Sequence, residues 1–131
     1  RTEKWDFDLF VVQPVVPNAG RFDSVDNNQV FTGAWFTHRP AAGMSLDLYY
    51  LNLDNANRTA RGQFGAVGAQ NVNSVGSRFA GTKNNWLWDG EAVVQFGSFA
   101  NQSIQAQAFT AAGGYHFKDV PWEPQFWVGY D

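Results

Sequence analysis

Asn84-Asn85 stands between two stretches, 72–83 and 86–99, in which apolar and polar side chains alternate, and this hairpin signature constrains the fold more than any other feature. A two-residue turn pairs Lys83 with Trp86, so opposed residue numbers sum to 169. One face then collects Val75, Ser77, Phe79 and Gly81 opposite Val94, Ala92, Gly90 and Trp88. The other collects Ser74, Gly76, Arg78 and Ala80 opposite Gln95, Val93, Glu91 and Asp89. A period of two with unlike faces belongs to strands, not helices. The register sets Arg78 against Glu91 as a cross-strand ion pair, and it brings Phe79 over Gly90 and Trp88 over Gly81.

The alternation recurs along the chain and predicts an all-β, antiparallel up-and-down meander of about seven strands, at 4–14, 31–39, 44–54, 72–83, 86–99, 104–118 and 124–131. Most approach or exceed the ~9–11 residues of a membrane-crossing strand, whereas ordinary strands average about 5–6. Trp5, Phe7, Leu9 and Val11 oppose Lys4, Asp6 and Asp8 on the first; Leu46, Leu48 and Tyr50 oppose Ser45 and Asp47 on the third. The sixth is ambiguous: Ile104, Ala106 and Ala108 alternate with Gln105, Gln107 and Phe109. Connections 15–30 and 55–71 are long and polar, while 40–43 and 84–85 are tight. Such alternation fits a barrel wall with long loops outside and Arg1 starting on the periplasmic side, although the fifth connection, 100–103, is short.

The 131 residues suit one domain. Charged residues make up 16%, below the ~25% of soluble proteins, while twelve Phe, six Trp and four Tyr make the chain strongly aromatic. A net charge of -3 without any Lys- or Arg-rich stretch argues against nucleic acid. Without Cys there is no thiolate metal site and no cysteine nucleophile. The longest apolar runs, Leu9 to Val12 and Leu48 to Leu51, have four residues, so no helix crosses a bilayer and the start carries no signal-peptide core; a mature chain or an excised piece is expected. A β-barrel hides its hydrophobicity in alternate residues and remains open. Trp86, Trp88, Trp122 and Tyr115 cluster near the expected periplasmic turns, where such rings straddle a headgroup boundary.

Asp89 and Glu91 point to one face about 6.6–7 Å apart along the strand, a carboxylate pair, but with no nucleophile nearby they read as a polar wall rather than an enzyme site. His38 and His116 lack ligand spacing and read as structural. Gly62-x-x-Gly65-x-x-Gly68 lacks a phosphate loop's flanking elements and reads as a flexible outer loop. Asp23, Asp26 and Asp54 fit no ordered calcium loop, so neither metal nor cofactor is expected. Two functions stay open: a transport wall with a charged face, or a soluble β-sandwich or lipocalin-like ligand-binding module.

Several short stretches, in order and spacing, carry a family likeness: Val12-Gln-Pro-Val-Val with Phe22-Asp23, Gly33-Ala-Trp-Phe-Thr, 46–54, Ser74-Val-Gly-Ser-Arg-Phe-Ala-Gly, 88–97, Gly114-Tyr-His-Phe, and Pro121-Trp-Glu-Pro leading to Gly129-Tyr-Asp. Through them the chain resembles the alginate export family of bacterial outer-membrane β-barrels. The resemblance implies a large transmembrane barrel passing anionic polysaccharide or small polar solutes in a porin-like manner, of which this chain is less than half. The end at Tyr130-Asp131, without a terminal aromatic, also reads as a fragment. Its expected partners are outer-membrane lipid of a Gram-negative cell, the remaining strands and the polysaccharide. The pore-lining candidates are Lys4, Asp6, Asp8, Asp47, Arg78, Asp89, Glu91 and Gln95, with Arg78 at the family's Gly-x-Arg position and Asp89 and Glu91 at its Asp-x-Glu positions. The lipid-facing candidates are Val75, Phe79, Trp88, Ala92, Val94 and Phe96. An arginine-rich lining for uronates is not seen: acids outnumber bases five to two among the polar candidates.

Overall fold

The computed structural model describes residues 2–62 and 65–131; Arg1, Gln63 and Phe64, which include the expected starting point and part of the glycine-spaced loop, lie outside the described residues. The strands are β1 (Trp5–Val12), β2 (Val15–Val16), β3 (Ser24–Val25), β4 (Gln29–His38), β5 (Met44–Asn55), β6 (Gln70–Lys83), β7 (Trp86–Phe99), β8 (Gln102–His116) and β9 (Gln125–Tyr130). Seven form one antiparallel sheet in the order β1-β4-β5-β6-β7-β8-β9, and β2 and β3 form a small hairpin between β1 and β4. This is an all-β up-and-down meander. It is open, with β1 and β9 at the two edges.

The expected β6–β7 register holds from Gln70↔Phe99 to Lys83↔Trp86. Its turn is possible because Asn84 takes φ 56°, a left-handed conformation that asparagine tolerates. The fifth connection is tighter than expected: Ala100 and Asn101 both adopt positive φ (47° and 67°), as a two-residue hairpin turn requires, and β8 begins at Gln102. The first connection holds the β2–β3 hairpin, which alternation alone misses because each strand has two residues. Asn18 ties it together, its backbone N–H donating to Asp23 Oδ1 (3.1 Å) and its amide to Ser24 Oγ (3.3 Å). Asn57 Nδ2 donates to Asp26 Oδ2 (2.5 Å), joining the first and third connections. These two and the 100–101 turn occupy one end of the sheet; 39–43, 84–85 and 117–124 occupy the other.

The sheet has no second layer, and no described side chain is fully buried. The described residues therefore do not form a β-sandwich. The two faces nevertheless differ sharply. Asp47 and Ser74 on one face are 7% and 8% exposed, whereas Leu48 and Val75, their neighbours on the other, are 47% and 49% exposed. With neither face covered by another layer, curvature is the remaining cause. Trp35 on β4 and Trp127 on β9 border one trough, although five strand steps would part them by about 24 Å in a flat sheet. The sheet curls with its polar face inside.

Candidate functional site on the concave face

One row of paired residues crosses six strands and carries Asp6, Thr37, Asp47, Arg78, Glu91 and Thr110 in succession. Asp8, Asp89 and Gln95 share its face by the period of two. Lys4 lies just before β1, lining a turn-end cavity of about 610 Å³ with Arg39, Met44 and Gly81. The register thus brings seven of the eight polar candidates onto one face. It places Val75, Phe79, Trp88, Ala92, Val94 and Phe96 together on the opposite, convex face.

Arg78 faces Glu91 in register but does not bind it. Its guanidinium forks onto Asp89, with Nε 2.8 Å from Oδ1 and Nη2 on Oδ2. The expected Arg78–Glu91 pair is therefore replaced by Arg78–Asp89, two residues along β7 on the same face. A long side chain reaches a diagonal neighbour easily, and two parallel N–H···O bonds outweigh one direct approach. Glu91 is engaged from the other side: the Tyr49 hydroxyl donates to Oε1 at 2.5 Å. Tyr49 belongs to β5 and Glu91 to β7, so the phenol crosses β6, and it crosses at Gly76. A Cβ there would enter the Tyr49 ring. Trp35 stacks on the same ring, with centroids 4.5 Å apart and planes 7° from parallel.

Lesser contacts complete the face. Thr37 Oγ1 donates to Asp47 Oδ1 (2.6 Å), Gln95 Nε2 to Ser74 Oγ (3.0 Å) and Arg39 Nη2 to Asp6 Oδ2 (2.6 Å). Sequence reasoning found the charges and missed Tyr49, Trp35, Thr37 and Trp127. Parity counted from Asp47 places Tyr49 on its face, but the run Leu48-Tyr49-Tyr50 masks the alternation.

On the convex face Trp88 covers Gly81, where a Cβ would come within 2.7 Å of the indole. Phe79 does not cover Gly90; it leans on Trp88, with centroids 5.9 Å apart, and the space above Gly90 stays open. The indole N–H of Trp88 is buried without a partner. The ambiguous β8 resolves: Ile104, Ala106 and Ala108 share the face of Gln95, while Gln105, Gln107 and Phe109 share that of Val94. At the loop end Tyr50 Oη and Asn52 Nδ2 both donate to Asn73 Oδ1 (2.6 and 3.0 Å). At the turn end Trp5 stacks on His38 (3.7 Å), Trp86 meets Tyr115 edge-on (5.2 Å) and His116 Nε2 lies 3.6 Å from Glu123. Trp122 stands exposed in the 117–124 turn. Among the described residues no group of His, Cys, Asp or Glu is arranged to hold a metal ion.

The concave face thus offers fixed hydrogen-bond acceptors, guanidinium groups already paired with Asp89 and Asp6, and flat indole rings, an arrangement suited to contact with a polar solute. Neither the curated proteins nor the solved structures give a match to the chain. The model of the alginate export family, a family of outer-membrane polysaccharide transport, matches residues 1–131, the whole chain, and the chain belongs to that family.

Proposed function

We propose that this sheet is one wall of a transmembrane β-barrel that exports polysaccharide, with its concave face toward the lumen and its convex face toward lipid. The observation that carries this is the inversion of faces: the apolar side chains lie outside and half exposed, while Asp47, Ser74 and their neighbours lie inside. Water would drive the opposite arrangement. A barrel in lipid needs this one. From Trp86 to Phe96, β7 runs about 34 Å along its axis, or roughly 25 Å of height at the usual 35–45° tilt, which is the height of a barrel's apolar band. The open edges of β1 and β9 leave backbone groups that a bilayer cannot satisfy, so further strands must close the wall.

In this reading Lys4, Asp6, Asp8, Asp47, Arg78, Asp89, Glu91 and Gln95 line a charged passage, Val75, Phe79, Trp88, Ala92, Val94 and Phe96 meet lipid, and the 15–30 and 55–71 connections lie outside the cell. The site holds and orients a passing chain rather than reacting with it. Spin labels at Val94 and Gln95 in the complete barrel, reconstituted in vesicles, test the faces. Oxygen access high at Val94 and low at Gln95 is expected; the reverse, or a chain that stays monodisperse in buffer without detergent, overturns the proposal.

A further inference from the structure

Arg78 stands in register between two carboxylates, Asp47 on β5 and Glu91 on β7, with Asp89 on the diagonal. Side chains directly opposite lie about 4.5–5.5 Å apart at Cβ and diagonal ones about 7–8 Å, so Asp47 and Glu91 are the nearer partners. The guanidinium nevertheless takes Asp89, through Nε and Nη2. Its remaining edge, Nη1 with the second hydrogen of Nη2, meets no acceptor among the described residues, and the side chain is 42% exposed. Two parallel N–H groups in one plane are what a carboxylate fits with both oxygens.

The nearer carboxylates are engaged elsewhere. Asp47 accepts from Thr37 Oγ1 and Glu91 from the Tyr49 hydroxyl. Tyr49 pairs with Gly76, two residues toward the loop end of β6 from Arg78, whereas Asp89 lies two residues toward the turn end of β7 from Glu91. The two side chains are thus drawn in opposite directions, Glu91 toward the loops and Arg78 toward the turns. The phenol that holds Glu91 is itself fixed, stacked on Trp35 and seated over Gly76. All these residues lie on β4 to β7, each paired on both sides, so their register is set without the strands that complete the wall.

We infer that Tyr49 is a positioning residue that determines specificity: by holding Glu91 toward the loop end, it keeps the outer edge of Arg78 open to carboxylates on the passing chain. This rests on the concave face being a polysaccharide passage and names the residue that keeps its guanidinium in use. Arg78 makes the contact, and Asp89 aims it. Without the Tyr49 hydroxyl, Glu91 turns to the guanidinium directly opposite and closes that edge, with no change in the charge of the wall.

Block of single-channel current by a mannuronate oligomer, which carries one carboxylate per sugar, tests this in planar bilayers holding the complete barrel. Tyr49→Phe keeps the ring and its stack on Trp35, yet should weaken the block by about tenfold. Adding Glu91→Gln to Tyr49→Phe removes the competing carboxylate and should restore the block, a rescue that a merely structural role for Tyr49 would not give. Block of Tyr49→Phe at the parent's concentration, or a loss that Glu91→Gln does not restore, overturns the positioning role and leaves the passage standing. A barrel that conducts ions but is blocked by the oligomer in no variant overturns the polysaccharide passage itself.

Discussion

Tyr49 and Glu91 stand two strands apart, yet the Tyr49 hydroxyl donates to the Glu91 carboxylate at 2.5 Å by lying across Gly76. The link ties β5 to β7 without any hydrogen bond from β6's own side chain at that point. It depends on a missing methyl group. Gly76→Val should therefore push the ring away and cost about 1–3 kcal/mol by overpacking. Tyr49→Phe keeps the ring and loses a charge-assisted bond, at a cost of roughly 1.5–3 kcal/mol. Because the valine already breaks the same bond, the double variant should lose less than the two single losses combined. Denaturant unfolding of the reconstituted barrel measures all three.

Arg78 and Asp89 form a partly exposed pair, so Arg78→Gln should cost only ~0–1 kcal/mol. The same change removes the positive charge that Asp47, Asp89 and Glu91 flank, and if the concave face lines a passage as proposed, low-dielectric walls would focus the field there. Reversal potentials in planar bilayers should move toward cation selectivity for Arg78→Gln and toward anion selectivity for Glu91→Gln. Unchanged potentials with a large fall in melting temperature would make the pair a structural brace away from the conducting path.

The two faces of β7 should answer charge differently. Val94→Arg puts a guanidinium on the convex face, and if that face meets lipid as proposed it should cost about 2–4 kcal/mol near mid-membrane. Gln95→Arg, one residue on, gives up the hydrogen bond to Ser74 and should cost about 0.5–1.5 kcal/mol, less than the charge on the convex face. Equal costs at both positions would contradict the assignment of the faces.

How much of this was legible beforehand varies with the kind of interaction. The β6–β7 register followed from one asparagine turn, because a two-residue hairpin leaves only one pairing. The division of faces followed from it, since the side-chain period is strict. Partner choice did not follow. Register names the residue opposite Arg78, but its side chain is long enough to choose between Glu91 and Asp89, and the choice depends on Tyr49 arriving from a third strand. Trp35 and Trp127 were equally hidden: they border one trough through curvature, which no pairing of neighbours encodes.

Trp88 covers Gly81 yet leaves its own indole N–H unpaired. Trp88→Phe removes that buried donor while keeping a ring on the convex face, and should change stability by less than about 1 kcal/mol in either direction. Trp88→Ala loses the ring as well and should cost more, up to about 3 kcal/mol at this partly exposed position. Thermal unfolding in detergent micelles compares the two.

The placement of the connections is open to proteolysis. Trypsin added to intact cells should cut at Arg58 or Arg61, in the long third connection, before it cuts at Lys83 beside the opposite turn. Earlier cleavage at Lys83 would mean that the proposed orientation is reversed.

The oily coat on the convex face does not exist in the unpaired chain. Its members sit at alternate positions and come from different strands, so the unpaired chain presents no run of more than four apolar residues. The coat is assembled only as neighbouring strands zip together. Pairing in water would create an adhesive surface with nothing to wet it, and aggregation would follow. If the convex face meets lipid as proposed, strand pairing and entry into lipid must proceed in step, which makes the timing of closure, rather than the strength of any single contact, the vulnerable point in this wall's biogenesis.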